Sequence, residues 1–205
     1  MKYNGPKARK VRRLGMNLYG SDKYDRILAK KPYGPGKSPK TRSGRDSEYA
    51  KQLKEKQKAR DIYGLSEKQF RRLYSDALKS KGRTGDTLQS LLEQRLDNAI
   101  FRAGFAMTRF QSRQFAGHGL FLVDGQRVTS PSYRLKPGQV ITVRPKAKDS
   151  PVFAGIRERN SKYLAPKWLK SDSDKLSAEV VSLPTAQDAE QGVDMRLVIE
   201  FYSRN

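Results

Sequence analysis

The 205-residue sequence predicts an α+β fold, with a basic amino-terminal arm and a helical domain ahead of a small domain of two helices packed on an antiparallel sheet. Three observations predict it. Between Ser47 and Ala103 the apolar residues recur at helical spacing. Past Leu120 the period changes to alternation, and LFLVDGQRV sets Asp124-Gly125 between two short apolar runs, the strongest short hairpin signal. Pro137-Gly138 then makes a second turn before the strand-like QVITVRP.

Charge narrows the partner. Lys and Arg number 43 against 21 Asp and Glu, a formal net charge of +22, concentrated in residues 1–60 and 121–170, with residues 171–205 net acidic. Such an excess calls for a polyanion. No stretch approaches the roughly 18 to 20 apolar residues of a membrane-spanning helix, and the basic helices lack an apolar face with aromatic anchors, so a nucleic acid is expected and a membrane is not. The absence of cysteine excludes disulfides and thiolate zinc sites. MKYNGPKARKVRRLG has no apolar run behind it, unlike a secretory signal, which makes a cytoplasmic location the expectation.

The elements follow in order. Residues 1–45 form the basic arm, which closes on PYGPGKSPKTRSGR from Pro32 to Arg45; three prolines and three glycines there forbid a helix. With so little apolar content this arm is expected to be mobile without its partner. Residues 46–92 are the helical domain. Ser47 opens a helix running to Gly64, with Lys51, Lys54, Lys56, Lys58 and Arg60 on its outer faces against few acids, a phosphate-tracking pattern. Ser66 and Gln69 form a capping box for the next helix, whose Phe70, Leu73, Tyr74, Ala77 and Leu78 make one buried stripe and whose Lys68, Arg71, Arg72 and Lys79, with Lys81 beyond its end, stay outside. A third helix is expected after Asp86, unbroken through Leu88, Leu92, Leu96, Ile100 and Ala103 to Gly104, with Arg95 and Arg102 on its flank presenting their heads. Residues 93–205 are the α+β domain: a short helix in TRFQSRQFAGHG, the hairpin, the QVITVRP strand, a helical stretch from Val152 to Tyr163, and two further strands, KLSAEVVSL and MRLVIEFYS.

Catalytic readings of these motifs fail on chemistry. GPGKS at Gly34 to Ser38 lacks the upstream glycine of a phosphate-binding loop, having Lys31 there; no strand precedes it, and Pro39 stands where a helix should begin. His118, the only histidine, needs a nucleophile or an orienting carboxylate to act as a base, and the nearby Asp124 is explained by the hairpin turn. What remains is a docking surface. Arg109 and Arg113, one helical turn apart, are expected to face outward and straddle a nucleic-acid backbone beside Gln114, His118 and Arg127, while Phe110 and Phe115 anchor the helix and the glycines permit close approach.

QRLDNAIFRAGFAMTRFQSRQFAGHGLFLVDGQRVTSPSYRLKPGQVITV resembles the RNA-binding domain named after the bacterial small-subunit ribosomal protein four family. YGLSEKQFRRLY, the EKQKAR helix, GPKARKVRR and VIEFYSR extend the resemblance over essentially the whole chain. The small domain also occurs in pseudouridine synthases, tyrosyl-tRNA synthetases and a heat-shock RNA-binding protein, so an RNA-modifying or RNA-chaperone protein is the alternative, and a DNA-binding regulator a further one. The resemblance implies a non-catalytic protein without cofactor or metal. It further implies binding to the 5′ domain of 16S rRNA early in small-subunit assembly, a place at the mRNA entry pore beside small-subunit proteins three and five with an influence on accuracy, and a protein that is not a homo-oligomer. Many family members carry two cysteine pairs as a zinc knuckle; here those positions fall at Ala8, Val11 and near Ser21 and Arg26.

The residues expected to meet rRNA are Lys7, Arg9, Arg12 and Arg13 in the arm; Lys54, Lys56, Lys58, Arg60, Arg71, Arg72, Lys81 and Arg83 in the helical domain; and Arg109, Arg113, Gln114, His118, Arg127, Tyr133 and Arg134 in the small domain. Lys40, Arg42 and Arg45 are the candidates for the mRNA entry pore.

Overall fold

In a computed structural model of the chain, residue 3 and residues 5–36, 45–148, 150–156 and 163–204 are described. They gather into two compact units, one running to Arg72 and taking back the residues from Gln191, the other from Leu73 to Glu190.

The first unit is helical. α1 (Lys7–Leu14) ends where Gly15 turns left-handed at φ 70° and donates its N–H to Val11 O at 2.8 Å; α2 (Asp22–Lys30) follows. The arm contributes more apolar packing than its composition suggested: Val11, Leu14, Leu18 and Tyr19 are buried, because its few apolar residues are spaced to meet on one side of a helix and its following turn. α3 (Glu48–Ile62) starts at Ser47, whose Oγ accepts from Ala50 N at 3.3 Å. The capping box of α4 (Glu67–Lys79) closes reciprocally, Gln69 N to Ser66 Oγ and Ser66 N to Gln69 Oε1, both at 3.3 Å. Phe70 is buried in this unit, and Leu73, Tyr74 and Ala77, on the part of α4 that belongs to the second unit, are buried as expected, but Leu78 is exposed.

MRLVIEFYS, expected as a strand, is the helix α10 (Met195–Ser203), which packs on α3. Its β-branched and aromatic residues are overridden by tertiary context. Asp194 Oδ1 caps it by accepting from Arg196 N at 2.9 Å, and Val198 and Phe201, three residues apart, are the buried pair. Each such burial contributes about 1.5 to 3 kcal/mol.

The second unit joins helices to a sheet. The long helix expected after Asp86 is broken into α5 (Thr84–Glu93) and α6 (Leu96–Arg102) with no glycine or proline at the break. Backbone from a distant segment takes up the freed groups: Leu96 N donates to Tyr133 O at 2.9 Å, Leu135 N to Gln94 O at 2.9 Å and Asp97 N to Pro131 O at 3.1 Å. α7 (Arg109–Gly117) is capped by Thr108 Oγ1, which accepts from Gln111 N at 3.2 Å.

β1 (Phe121–Val123) and β2 (Gln126–Arg127) form the hairpin, with Asp124 at φ 50° and Gly125 at φ 80°, the two positive values that a tight two-residue hairpin turn requires. β3 (Val140–Val143), the short helices α8 (Pro145–Lys148) and α9 (Pro151–Ala154), β4 (Leu169–Asp172) and β5 (Ser177–Val180) follow. The stretch expected to be helical from Val152 begins in α9, and its residues 157–162 lie outside the described ones. The sheet is antiparallel throughout in the order β2-β1-β3-β5-β4. Ile100, Phe105, Phe121, Phe153, Ile141 and Trp168 form its core with α6, and the Phe121 and Phe153 rings meet edge to face at 6.0 Å.

Candidate nucleic-acid interface

The cations divide into those tied down by carboxylates and those left to solvent. On α3 every expected phosphate contact is already paired within the first unit. Lys54 pairs with Asp46, Lys58 with Glu55 at 2.5 Å, and Arg60 with Glu67 at 3.2 Å and Asp61 at 3.4 Å. Lys56, expected outside, is buried; its Nζ lies 3.0 Å from Glu67 and 4.6 Å from the centroid of the Phe201 ring. Glu67 gathers these partners together with Tyr202, whose hydroxyl donates to its Oε1 at 2.7 Å. Burial pushes the Glu67 carboxyl up, but the Tyr202 and Lys56 hydrogen bonds and the charges of Lys56 and Arg60 outweigh it and hold the group below its usual value. Burial, and then Glu67 itself, push the Tyr202 phenol well above its ordinary range.

In the arm, Arg12 acts as a tie, its Nε donating to Tyr33 O at 3.1 Å and its Nη2 to Gly34 O at 3.3 Å over the Tyr33 ring. Lys7 lies over Tyr19. Arg9 and Arg13, four residues apart on α1, are exposed and have no carboxylate partner among the described residues, as have Arg71 and Arg72 on α4. Arg45 is exposed, whereas Lys40 and Arg42 lie outside the described residues.

The second unit corrects the expectation for α7. Arg109 does not face freely outward: Nη2 pairs with Glu190 at 2.6 Å, Nε donates to Asn98 Oδ1 at 2.8 Å, and the side chain is only 12% exposed. Arg113 Nη1 lies 3.1 Å from Asp97 Oδ2. Arg95 and Arg102, expected to present their heads at the flank of a helix, are likewise occupied. Arg95 is buried in a two-pronged pair with Asp97, and Arg102 Nε and Nη2 reach the buried Glu93 at 2.9 and 3.1 Å. Phe115 is buried, but Phe110 is only half-buried.

Farther along, Arg127 Nη2 donates to His118 O at 3.1 Å, and its guanidinium packs where a Cβ on Gly119 would stand; Gly119 serves the protein's own arginine with its φ of +66° and bare backbone. His118 and Gln114 are exposed. Asp124 spends its carboxylate on Val140 N at 2.8 Å and Gln139 Nε2 at 2.9 Å, and Gln139 also reaches the Tyr133 hydroxyl. Arg134 pairs with Asp76. Lys81 and Arg83 are exposed and without a carboxylate partner among the described residues. Sequence reasoning passed over the acids that aim these arginines, namely Glu67, Glu93, Asp97 and Glu190. Asp97, two residues after Arg95 at the start of an apolar helix, was the available signal.

Among the described residues no group of three His, Asp or Glu side chains is placed to hold a metal ion, and no helix is long and apolar enough to cross a membrane. A helical unit studded with cations, and an α+β unit whose arginines are aimed by acids, define a protein that binds a polyanion. Residues 2–93 match the family described as the ribosomal protein S4/S9 N-terminal domain, and residues 94–141 match the S4 domain. The chain is 45% identical over 206 residues to the small ribosomal subunit protein uS4 of Roseiflexus castenholzii, covering 99% of both chains. It is 46% identical over 201 residues to the protein of that name from Treponema denticola, covering 98% of this chain and 97% of the relative. The chain belongs to the uS4 family of small ribosomal subunit proteins. As a member it is an rRNA-binding structural constituent of the small subunit, acting in translation.

Proposed function

We propose that the protein binds the 5′ domain of 16S rRNA as an early step of small-subunit assembly, and that it acts without catalysing a reaction. The observation that carries this reading is the set of exposed cations without acidic partners among the described residues, Arg9, Arg13, Arg71, Arg72, Lys81 and Arg83, in a chain 99% of which is matched by small-subunit proteins. Free guanidinium and ammonium groups on helices can meet phosphates without first breaking an internal pair. The segments 1–45, 46–92 and 93–205 then serve as arm, helical binding domain and small RNA-binding domain. Arg109, Arg113, Gln114, His118, Arg127, Tyr133 and Arg134 supply the second contact surface. Its paired members are held by carboxylates in the poses they bring to a phosphate, and the paired Lys54, Lys58 and Arg60 are positioned in the same way, whereas the buried Lys56 supports Arg60 through their shared Glu67. Lys7 and Arg12 order the arm.

Two finer roles complete the proposal. Lys40, Arg42 and Arg45 meet mRNA at the entry pore, and small-subunit ribosomal proteins three and five are the protein neighbours, an arrangement that influences decoding accuracy. The protein acts as a single copy.

A transcript of the 16S 5′ domain tests the central reading. The intact protein should protect a discrete set of its nucleotides from cleavage and prefer it to an equally long unrelated structured RNA. Equal affinity for the two RNAs overturns the reading.

A further inference from the structure

Within the second unit, α5 and residues 183–187 border an open groove of about 730 Å³, of the size that small ligands occupy. Leu91 and the exposed Leu183 provide apolar surface, and Ser80, Asp86, Ser90 and Gln94 provide polar groups. Gln94 Nε2 donates to Ser90 Oγ at 2.8 Å, which fixes the amide and leaves its oxygen as an acceptor. The ionised group among the lining residues is Asp86. Its charge disfavours a phosphate inside the groove and favours a neutral group that donates hydrogen bonds.

On the side of α4 and α5 the chain beside the groove has the opposite sign, while on the other side the Asp188 carboxylate is taken up by Thr185 N and Oγ1 at 2.9 and 2.7 Å. Lys79 and Lys81 flank Ser80 in sequence, and Arg83 immediately precedes α5; all three are exposed and have no carboxylate partner among the described residues. An acid within and cations beside it match a nucleotide better than a protein segment: a flat, neutral base with donors at its edge, joined to phosphates on either side.

We propose that this groove takes one unstacked nucleobase of the bound RNA, which lies against Leu91 and Leu183 and directs an exocyclic amine at Asp86, while Lys79, Lys81 and Arg83 hold the adjoining phosphates. The inference rests on the RNA-binding reading and deepens it. Single-stranded bases splayed from RNA are recognised by stacking on side chains and by hydrogen bonds at their edges, and a carboxylate accepting from the amine of cytosine is an established pairing of groups. Uracil has the same size but carries an oxygen at that position, so it meets Asp86 with repulsion.

The two pyrimidines therefore isolate the interaction. Fluorescein-labelled oligocytidylate and oligouridylate, six nucleotides each, are titrated with the intact protein at one moderate salt concentration. Oligocytidylate is expected to bind on the order of tenfold tighter. Asp86→Asn should abolish that preference; Leu183→Asp should do the same without lowering the melting temperature, because Leu183 is already 52% exposed. Lys81→Ala should weaken both oligonucleotides alike. Equal binding of the two by the native protein, or a cytosine preference that survives Asp86→Asn, overturns the proposal. If the native protein shows no preference yet binds the 16S 5′ domain transcript selectively, the groove assignment alone fails; if it binds neither transcript nor oligonucleotides, the RNA-binding reading fails and the groove with it.

Discussion

Asp97 holds two arginines at once: its Oδ1 and Oδ2 take the guanidinium of Arg95 at 3.0 and 2.7 Å, and Oδ2 also lies 3.1 Å from Nη1 of Arg113. Arg95 and Asp97 are both buried, and Arg95 sits at the break between α5 and α6. Loss of one partner from such a pair leaves an uncompensated buried charge.

Asp97→Ala should therefore destabilise the protein by about 3 to 5 kcal/mol. Urea unfolding followed by far-ultraviolet dichroism measures it. A cost below about 1 kcal/mol, the size of a surface pair, would show that the Arg95 guanidinium reaches solvent once Asp97 is gone.

Arg71 and Arg72 are the opposite case, exposed on α4 with no carboxylate among the described residues to hold them. Replacing both with Ala should leave stability within about 0.5 kcal/mol. Affinity for the 16S 5′ domain transcript should fall, and the slope of log affinity against log salt should flatten by about one for each phosphate contact removed. For the native protein, engagement of some 6 to 10 phosphates means a loss of about a thousandfold or more between low and moderate salt. Titrations at several salt concentrations check both statements, and an unchanged slope in the double variant would take these two arginines out of the interface.

Where short-range chemistry decides, the fold was legible in the sequence. Asp124-Gly125 announced the hairpin because few residue pairs accept two positive φ values, and Ser66 with Gln69 announced the start of α4 because both bonds of the box lie within four residues. Where distant segments decide, it was not. Nothing near Arg95 signals a helix break; the cause is the backbone of residues 131–135. MRLVIEFYS has the composition of a strand, and only Asp194 as a cap and the three-residue spacing of Val198 and Phe201 hinted at α10. β4, whose LKSD has one buried residue, acquires its strand character by pairing with β5. The candidate site divides in the same way. Its cations were readable one by one, but their pairing depends on acids as far off as Glu190 is from Arg109.

The Tyr202–Glu67 bond makes part of the first unit's stability depend on pH. The folded-state value of Glu67 lies below its unfolded one, so its contribution is present above the ordinary carboxylate value of 4.5 and is lost as pH falls through the folded value. Tyr202 is raised, so its contribution is complete below about pH 10 and declines as pH rises beyond it. Tyr202→Phe should cost about 1 kcal/mol at pH 7, the carboxylate being partly exposed and screened. At pH 3 the cost should shrink. Denaturation of both proteins at the two pH values tests this; a penalty near zero at both would mean that the ring packing on Phe70, at 6.1 Å, which Phe keeps, matters and the hydrogen bond does not.

α7 offers the sharpest separation of folding from binding. Phe115 is buried, with its ring 5.6 Å from that of Phe153, whereas Phe110 is half-buried. Phe115→Ala should cost about 3 to 5 kcal/mol; Phe110→Ala should cost less, since less apolar surface leaves water there on folding. Arg113→Ala lies between core and surface: Asp97 keeps Arg95, so stability should drop by no more than about 1 kcal/mol, while a lost charge-assisted phosphate contact weakens RNA binding by about 1.5 to 3 kcal/mol. Thermal melts paired with RNA titrations of the three variants sort these effects. If the binding loss of Arg113→Ala is matched by its loss of folded protein, Arg113 serves the fold through Asp97 and leaves the RNA contact to Arg127 and its neighbours on the hairpin.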